Sequence, residues 1–266
     1  MSEPRLRTLL ICHDGADLNR KGLSRWLASW SDLAGIIVLR ETPKRRRQRW
    51  RRELQRVGFW RFLDVVAFRL WYRWRHAAWD AAWERVMLRA LQARYPETDG
   101  VPVLTCASVN SRRATDFIRQ RTPDLMIARC KQLLKEEVFT LPRHGTFVFH
   151  PGHCPRYRNA HGCFWALVND DPGHVAMTLL RIDRGVDTGP LYGYYSYAFD
   201  PWRESHHVIQ HRVVLENLDA LAARLREVCA GTAVPVQPDY TDSATWGQPW
   251  LSRYLAWRRR AARERA

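Results

Sequence analysis

The chain has 266 residues, 46% hydrophobic and 26% charged, a composition that excludes a disordered protein and allows one large α/β core with an appendage. The 43 Lys and Arg against 27 Asp and Glu give a net charge of +16, which favours anionic partners unless it only reflects an arginine-rich genome. No stretch reaches the ~20 apolar residues of a membrane span and the first apolar run is too short for a signal peptide, so we expect a cytoplasmic protein, soluble or peripheral at the inner membrane surface.

Apolar runs alternate with amphipathic segments from the start of the chain. Residues 6–13 and 33–39 predict buried strands, and residues 18–30 between them have the apolar spacing of a helix. A strand, a helix and a strand in this order predict an α/β fold with a doubly wound, mostly parallel sheet. The turn after the first strand lacks the Gly-x-Gly-x-x-Gly pattern, so a dinucleotide site is not supported.

Residues 43–96 interrupt this pattern and predict a basic, Trp-rich helical insertion. It opens on a run of Lys and Arg at 44–56, and residues 58–91 are rich in helix formers without strand alternation, which predicts two helices. From Phe59 to Trp74 the polar positions form only a narrow stripe, so this helix must pack on something. The sheet edge or a second subunit would bury it; otherwise residues 59–91 would lie on an anionic membrane surface or contact nucleic acid.

The strand and helix rhythm resumes after the insertion. Further strands are predicted at residues 101–108, 124–130, 145–150, 174–182 and 190–199, with helices at 111–120, 131–141 and 162–168. Residues 203–228 predict one amphipathic helix, and the chain after Gly231 is irregular until a short basic helix at its end. We therefore predict a main α/β domain at 1–200 and a short helical C-terminal extension at 201–266.

Two polar side chains lie where predicted strands end. His150 ends the strand at 145–150, and Asp187 follows the strand at 174–182 in an Asp-Thr-Gly corner. A His and an Asp delivered by separate strand ends into one pocket form an acid/base pair suited to acyl transfer.

The six cysteines are scattered and have no Cys-x-x-Cys spacing, so they predict free thiols in a reducing compartment. His153, Cys154, His161 and Cys163 do crowd one loop, which leaves a metal site there as an alternative. We expect no metal.

Several spaced segments together resemble the folate-dependent formyltransferases, a family that includes methionyl-tRNA, glycinamide-ribonucleotide and amino-sugar N-formyltransferases. The matching segments, in chain order, are Asn110-Ser111, residues 123–134, His150-Pro151-Gly152, Pro155, Tyr157-Arg158 and residues 187–190. The resemblance covers about the first 200 residues without the insertion. It implies a Rossmann-like formyltransferase domain at 1–200.

The resemblance also implies a reaction and a set of residues for it. An amine would attack the formyl carbon of 10-formyltetrahydrofolate, His150 would donate a hydrogen bond to the developing oxyanion, and Asp187 would hold the imidazole charged and relay the amine proton. The folate would be held by residues of the matching segments: Arg129, Cys130, Gln132, Leu133, Leu134, Arg158, Thr188 and Gly189. Arg129 and Arg158 would contact a carboxylate or phosphate.

One position departs from the family pattern. Val148 stands where the family has a catalytic Asn, on the same side of the strand as His150. Loss of one oxyanion donor typically lowers the rate about 100- to 1000-fold. We hypothesise that Asn159, which replaces a family Gly, supplies the missing amide; His153 or His161 are alternatives. Otherwise the chain is a slow enzyme or a binding protein without catalysis.

The acceptor is predicted to be a small amine, most simply an amino sugar linked to a nucleotide. Methionyl-tRNA formyltransferases carry a C-terminal β-barrel for which the residues after Asp200 are too few and too helical, although the positive charge suits RNA. Three alternative functions remain: hydrolysis of formyltetrahydrofolate, a methionyl-tRNA formyltransferase-like enzyme, and a folate- or RNA-binding scaffold that has lost catalysis.

Overall fold

A computed structural model of the chain describes residues 5–238 and 242–265. Its strands are β1 Arg7–His13, β2 Asp32–Leu39, β3 Val103–Cys106, β4 Leu125–Arg129, β5 Thr146–His150, β6 Arg158–Asn159, β7 Met177–Arg181, β8 Leu191–Tyr195 and β9 Thr245–Trp246. Seven of them form one sheet in the order β3-β2-β1-β4-β5-β7-β8, and β6 pairs with β9.

The sheet is parallel from β3 through β5, and β7 runs antiparallel to both β5 and β8. The parallel strands are almost wholly buried, as expected when helices cover both faces of a sheet. The predicted α/β fold with a doubly wound, mostly parallel sheet is therefore confirmed.

A π-helical turn at Leu18–Leu23 precedes the first helix. The helices are α1 Ser24–Trp30, α2 Pro43–Val57, α3 Phe59–Arg75, α4 Ala77–Arg94, α5 Arg112–Arg121, α6 Glu136–Phe139, α7 Gly162–Val168, α8 His206–Leu215, α9 Leu218–Ala230 and α10 Leu251–Arg265. None of the helices described is long and apolar enough to cross a bilayer.

Two predicted helices differ from the structure. The helix predicted at 131–141 is only the four-residue α6 in the structure. The Asn110 side chain donates to the Leu133 carbonyl and accepts from the Lys135 N–H, so these two backbone groups are not available for helical hydrogen bonds. The helix predicted at 203–228 is broken into α8 and α9 at Asn217, whose side-chain amide donates to the carbonyls of Ser196 and Val213.

The insertion packs over one face of the sheet. The two helices predicted at 58–91 are α3 and α4, and the basic run forms a further helix, α2. α3 buries Val65 and Phe68, and the Phe68 ring lies 5.4 Å from Phe164 of α7 and 5.8 Å from Tyr254 of α10. The insertion, α7 and α10 thus share one hydrophobic core. The predicted division into a domain at 1–200 and an extension at 201–266 stays a prediction.

A buried carboxylate joins the insertion to the C-terminal extension. Asp80 of α4 accepts hydrogen bonds from the hydroxyls of Tyr72, at 2.5 Å, and Ser205, at 2.6 Å. Ser205 in turn caps α8 by accepting from the Val208 N–H. These bonds fix α8 over the sheet.

The end of the chain returns to the loop after β5. β9 pairs in parallel with β6, so that Arg158 lies opposite Thr245 and Asn159 opposite Trp246. Two indole N–H groups strengthen this pairing: Trp165 donates to the Gly247 carbonyl and Trp246 to the Arg156 carbonyl, each at 2.9 Å. We call this pairing, residues 156–159 with 245–247, the C-terminal clamp.

Candidate active site

His150 and Asp187 meet at the carboxyl end of β5. The His150 ring is buried; its Nε2 donates to the Tyr157 carbonyl at 2.8 Å, and its Nδ1 lies 3.4 Å from Asp187 Oδ2. Both ring nitrogens therefore face an oxygen acceptor. The ring can satisfy both only when each nitrogen carries a proton, as in the imidazolium. The predicted pairing of His150 with Asp187 is present in the structure.

The loop backbone holds Asp187 in place. Its carboxylate accepts the Asn159 backbone N–H at 2.8 Å, and its φ of +53° lies in the left-handed region, which Asp tolerates better than most residues. The Arg158 guanidinium donates to the Val186 carbonyl, next to Asp187 in the chain. Since Arg158 and Asn159 form β6, the C-terminal clamp positions the partner of His150.

A cleft of about 110 Å³, open to solvent, lies beside this pair. Its apolar wall is formed by the ends of β4, β5 and β7 through Ala128, Val148, Leu180 and Ile182, and the loop at 183–187 closes its other side. A flat, partly apolar ligand fits such walls.

The predicted folate residues divide into two groups. Cys130, Gln132, Leu133 and Leu134 line the cleft. Burial raises the pKa of the Cys130 thiol to about 11, so it serves as a neutral wall and not as a nucleophile. The Gln132 side chain accepts from the Val109 N–H and donates to the Ala107 carbonyl, so it holds the cleft wall.

The other four predicted folate residues have structural contacts outside the cleft lining. Arg129 turns to the opposite face of the sheet, where it donates to the Phe149 carbonyl and to Asn19. Thr188 donates to Asp183 at 2.7 Å and folds the loop at 183–187. A Cβ on Gly189 would collide with the Arg181 carbonyl, so this position requires glycine. Arg158 braces the loop as described above.

None of the three side chains suggested as replacements for the family Asn reaches the cleft. The Asn159 amide donates to the Trp246 carbonyl at 2.5 Å, so this residue serves the site with its backbone. The His153 ring stacks on Tyr194 at 3.8 Å. His161 is enclosed near α8, where burial and then Lys131 lower its pKa to about 3. Val148 therefore remains apolar beside His150.

Positive and imidazole groups crowd the opposite face, next to the strand end that carries His150. Burial and then Arg49 lower the pKa of Lys131, and burial, His207, Arg129 and Lys131 lower that of His211. No carboxylate among the described residues pairs with the Lys131 ammonium. Glu41 offsets part of the effect of the neighbouring arginines on Lys131. The remaining positive charge can attract an anion.

The one group of potential metal ligands among the described residues is Glu84, His207 and His211, whose donor atoms lie within 4.8 Å of one another. His207 Nε2 is 2.6 Å from the Glu84 carboxylate. The cations of Arg129 and Lys131 near His211 oppose binding of a divalent ion. The loop suggested as an alternative metal site forms no such group; all six cysteines are free.

Sequence reasoning missed three features of the site. The Tyr157 carbonyl carries no residue-type signal, because every residue has one. Asp183 and Val186 line the cleft, and their position directly after a predicted strand end was the available signal. The clamp rests on a two-residue strand, too short for a periodic pattern.

The close packing around Gly152 predicts a strong effect of adding one methyl group. A Cβ on Gly152 would lie 2.6 Å from His150 Nε2 and closer still to the Tyr157 carbonyl oxygen. We expect Gly152→Ala to displace the ring and to lower the free energy of unfolding by about 1–3 kcal/mol, measured by urea denaturation. The matched control is Gly173→Ala, where a Cβ meets nothing within 4 Å. Equal stability of the two variants would contradict the assigned packing.

Comparison with known proteins identifies relatives of this arrangement. No family model matches the chain. A methionyl-tRNA formyltransferase of Thermus thermophilus is 29% identical over 186 residues, covering 61% of this chain and 60% of that protein. One from Geobacter metallireducens is 28% identical over 158 residues, covering 59% of this chain and 50% of that protein. The chain thus matches at most about three fifths of the length of these two relatives.

Solved structures share the fold over nearly the whole chain. A phosphoribosylglycinamide formyltransferase from Anaplasma phagocytophilum has a TM-score of 0.52 at 11% identity, covering 91% of this chain and all of that one. A sugar N-formyltransferase from a Shewanella species has a TM-score of 0.52 at 13% identity, covering 94% of this chain and 79% of that one. Together with the sequence relatives, this shared fold supports the similarity of the chain to the formyltransferase family.

Proposed function

We propose that this protein transfers a formyl group from 10-formyltetrahydrofolate to a primary amine. The observation that carries the proposal is the buried His150–Asp187 pair at the side of a partly apolar cleft, in a chain similar to formyltransferases. 10-Formyltetrahydrofolate would supply the formyl group and leave as tetrahydrofolate.

The cleft suits the pteridine end of a folate. Its walls are apolar along the strand ends, and the loop at 183–187 offers backbone groups to a heterocycle edge with donors and acceptors. Leu133 is 69% exposed at the cleft although it is a large apolar residue, which is expected where a flat ligand covers it. Cys130, Gln132 and Leu134 complete this wall.

His150 would stabilise the negative charge that develops on the formyl oxygen. Its Nε2–H now donates to the Tyr157 carbonyl, so the ring has to share or give up that bond to reach the oxygen. Asp187 would keep the imidazole doubly protonated and accept the proton that the attacking amine releases, directly or through water. The loop that carries Tyr157 is therefore part of the proposed machinery.

The proposed acceptor is a small anionic amine, such as an amino sugar linked to a nucleotide. Lys131, with Arg129 and the enclosed imidazoles, lies on the side of His150 away from the cleft. A phosphate of the acceptor would offset this crowded positive charge and place its amine near His150.

Methionyl-tRNA is the second candidate acceptor. The specific observation in its favour is that the curated relatives quoted above carry that activity in their names. The net charge of +16 also suits a nucleic acid.

Single-turnover release of tetrahydrofolate tests the proposal and separates the candidates. The protein is mixed with 10-formyltetrahydrofolate and, in parallel, with UDP-amino sugars, methionyl-tRNA or no acceptor. We expect release that depends on an amino sugar. Release with methionyl-tRNA alone would select the second candidate, and release without acceptor would show a hydrolase. Folate or RNA binding without release would show a scaffold that has lost catalysis, and would refute the proposal.

A further inference from the structure

The outward face of α3 is apolar along its whole length. Side chains at 59, 60, 63, 66, 67, 70 and 74 share this face by helical spacing. The largest of them are strongly exposed, with Trp60 at 80%, Trp74 at 82%, Leu70 at 61% and Phe59 at 60%. Trp79, at the start of α4, is 71% exposed as well. An exposed apolar stripe with two tryptophans, followed by a third exposed tryptophan at the start of the next helix, is typical of an interaction surface.

The inward face of the same helix is already satisfied. Phe68 and Val65 are buried in the core, and Asp64 accepts hydrogen bonds from the Ser252 backbone and hydroxyl on α10. Arg69 donates to Gln248 and lies over the Trp50 ring at 4.1 Å. The orientation of α3 is thus fixed by polar and apolar contacts, and rotation cannot bury the stripe.

A dense positive charge borders the stripe. α2 lies alongside α3, with Trp50 packed 5.5 Å from Phe62. Seven exposed cations of α2 and the end of α3 make no ion pair with the described residues: Lys44, Arg46, Arg47, Arg51, Arg52, Arg73 and Arg75. The acidic residues of these two helices, Glu53 and Asp64, are both engaged, Glu53 with Arg56 and Asp64 with Ser252.

We infer that this surface, the outward face of α3 with Trp79 and the cations of α2, docks on an anionic phospholipid bilayer. Aliphatic and indole side chains enter the boundary between headgroups and acyl chains, while neighbouring guanidinium groups pair with lipid phosphates. A second copy would bring two unpaired arginine-rich helices together, and RNA would leave Leu63 and Leu70 in water; the charge complementarity therefore favours lipid. This inference goes beyond the proposed function and does not depend on it.

Sedimentation with vesicles tests the inference. We expect the full chain to sediment with phosphatidylcholine vesicles that contain phosphatidylglycerol and not with phosphatidylcholine alone. Trp60→Ser with Trp74→Ser should weaken this binding at least about tenfold. Arg47→Gln with Arg51→Gln should weaken it by a similar factor, given the contribution of each cation near an anionic surface.

Matched substitutions elsewhere separate the surface from general charge and hydrophobicity. Arg112 and Arg119 are exposed on α5, outside the surface, and Val234 is 76% exposed. Arg112→Gln with Arg119→Gln, and Val234→Ser, should leave vesicle binding unchanged. Equal loss in the α5 variant, or no sedimentation of the wild type, would overturn the inference. A dimer in light scattering that the tryptophan variant dissociates would assign the surface to a second copy instead.

Discussion

Replacing His150 with alanine is expected to lower acceptor-dependent release of tetrahydrofolate about 1000-fold, because one side chain supplies both the oxyanion donor and the charge that Asp187 balances. Asp187→Asn should lower it by at least about 100-fold, since an amide cannot take up the amine proton. The measurement is a single-turnover time course at saturating 10-formyltetrahydrofolate. Folate binding should survive in both variants, because neither side chain forms the apolar wall of the cleft.

His144→Ala provides the matched control for this experiment. His144 lies just before β5, in a turn where its backbone N–H donates to the Asp124 carbonyl, and it does not line the cleft. Its replacement should leave the rate within about twofold of wild type and the stability nearly unchanged. If His150→Ala and His144→Ala have the same rate, His150 takes no part in the chemistry.

Replacing Val148 with asparagine is expected to raise the single-turnover rate about 10- to 100-fold. Val148 lies beside Leu180 across the strand pair and lines the cleft on the same side of β5 as His150. An amide at this position would point at the reacting group, and one well-placed oxyanion donor is worth about 100- to 1000-fold in rate. Asparagine is no larger than valine, and the cleft is open enough to hydrate an unpaired amide.

Val148→Ala distinguishes the effect of a new hydrogen-bond donor from the effect of a smaller side chain. It opens the cleft without adding a hydrogen-bond donor, so its rate should not exceed that of the wild type. A rate for Val148→Asn at or below that of Val148→Ala would mean that the His150 side of the cleft does not bind the formyl oxygen. In that case the donor to the formyl oxygen would have to come from the loop that carries Tyr157.

The sheet and the family could be predicted from the sequence because both rest on local signals. Buried strands of a parallel sheet are short apolar runs between turns, and every predicted strand of the main sheet is present. The family prediction, now confirmed, rested on spaced motifs that need no tertiary information. In the structure Cys130 and Gln132 line the cleft and Asp187 lies beside His150, while their roles in folate binding and catalysis stay predictions.

The features that could not be predicted from the sequence are those that depend on tertiary contacts. Asn217 breaks a helix because its amide reaches the Ser196 carbonyl, a partner that is distant in sequence. Arg129 looks like a ligand-binding residue, but strand alternation sends it to the face opposite Cys130. The apolar stripe of α3 was predicted to need a partner, and only the packed structure shows that the stripe faces outward.

The C-terminal clamp has a consequence for the order of events during protein synthesis. The backbone N–H of Asn159 that holds Asp187 lies in a strand whose only neighbour in its two-stranded sheet is residues 245–246. The main sheet can assemble on the ribosome as soon as β8 has emerged. We expect the His150–Asp187 pair, however, to acquire its full set of contacts only after Trp246 and Gly247 have left the exit tunnel. If the proposed function is right, folding and the onset of activity are separated in time, and a nascent chain that is already compact is expected to be inactive.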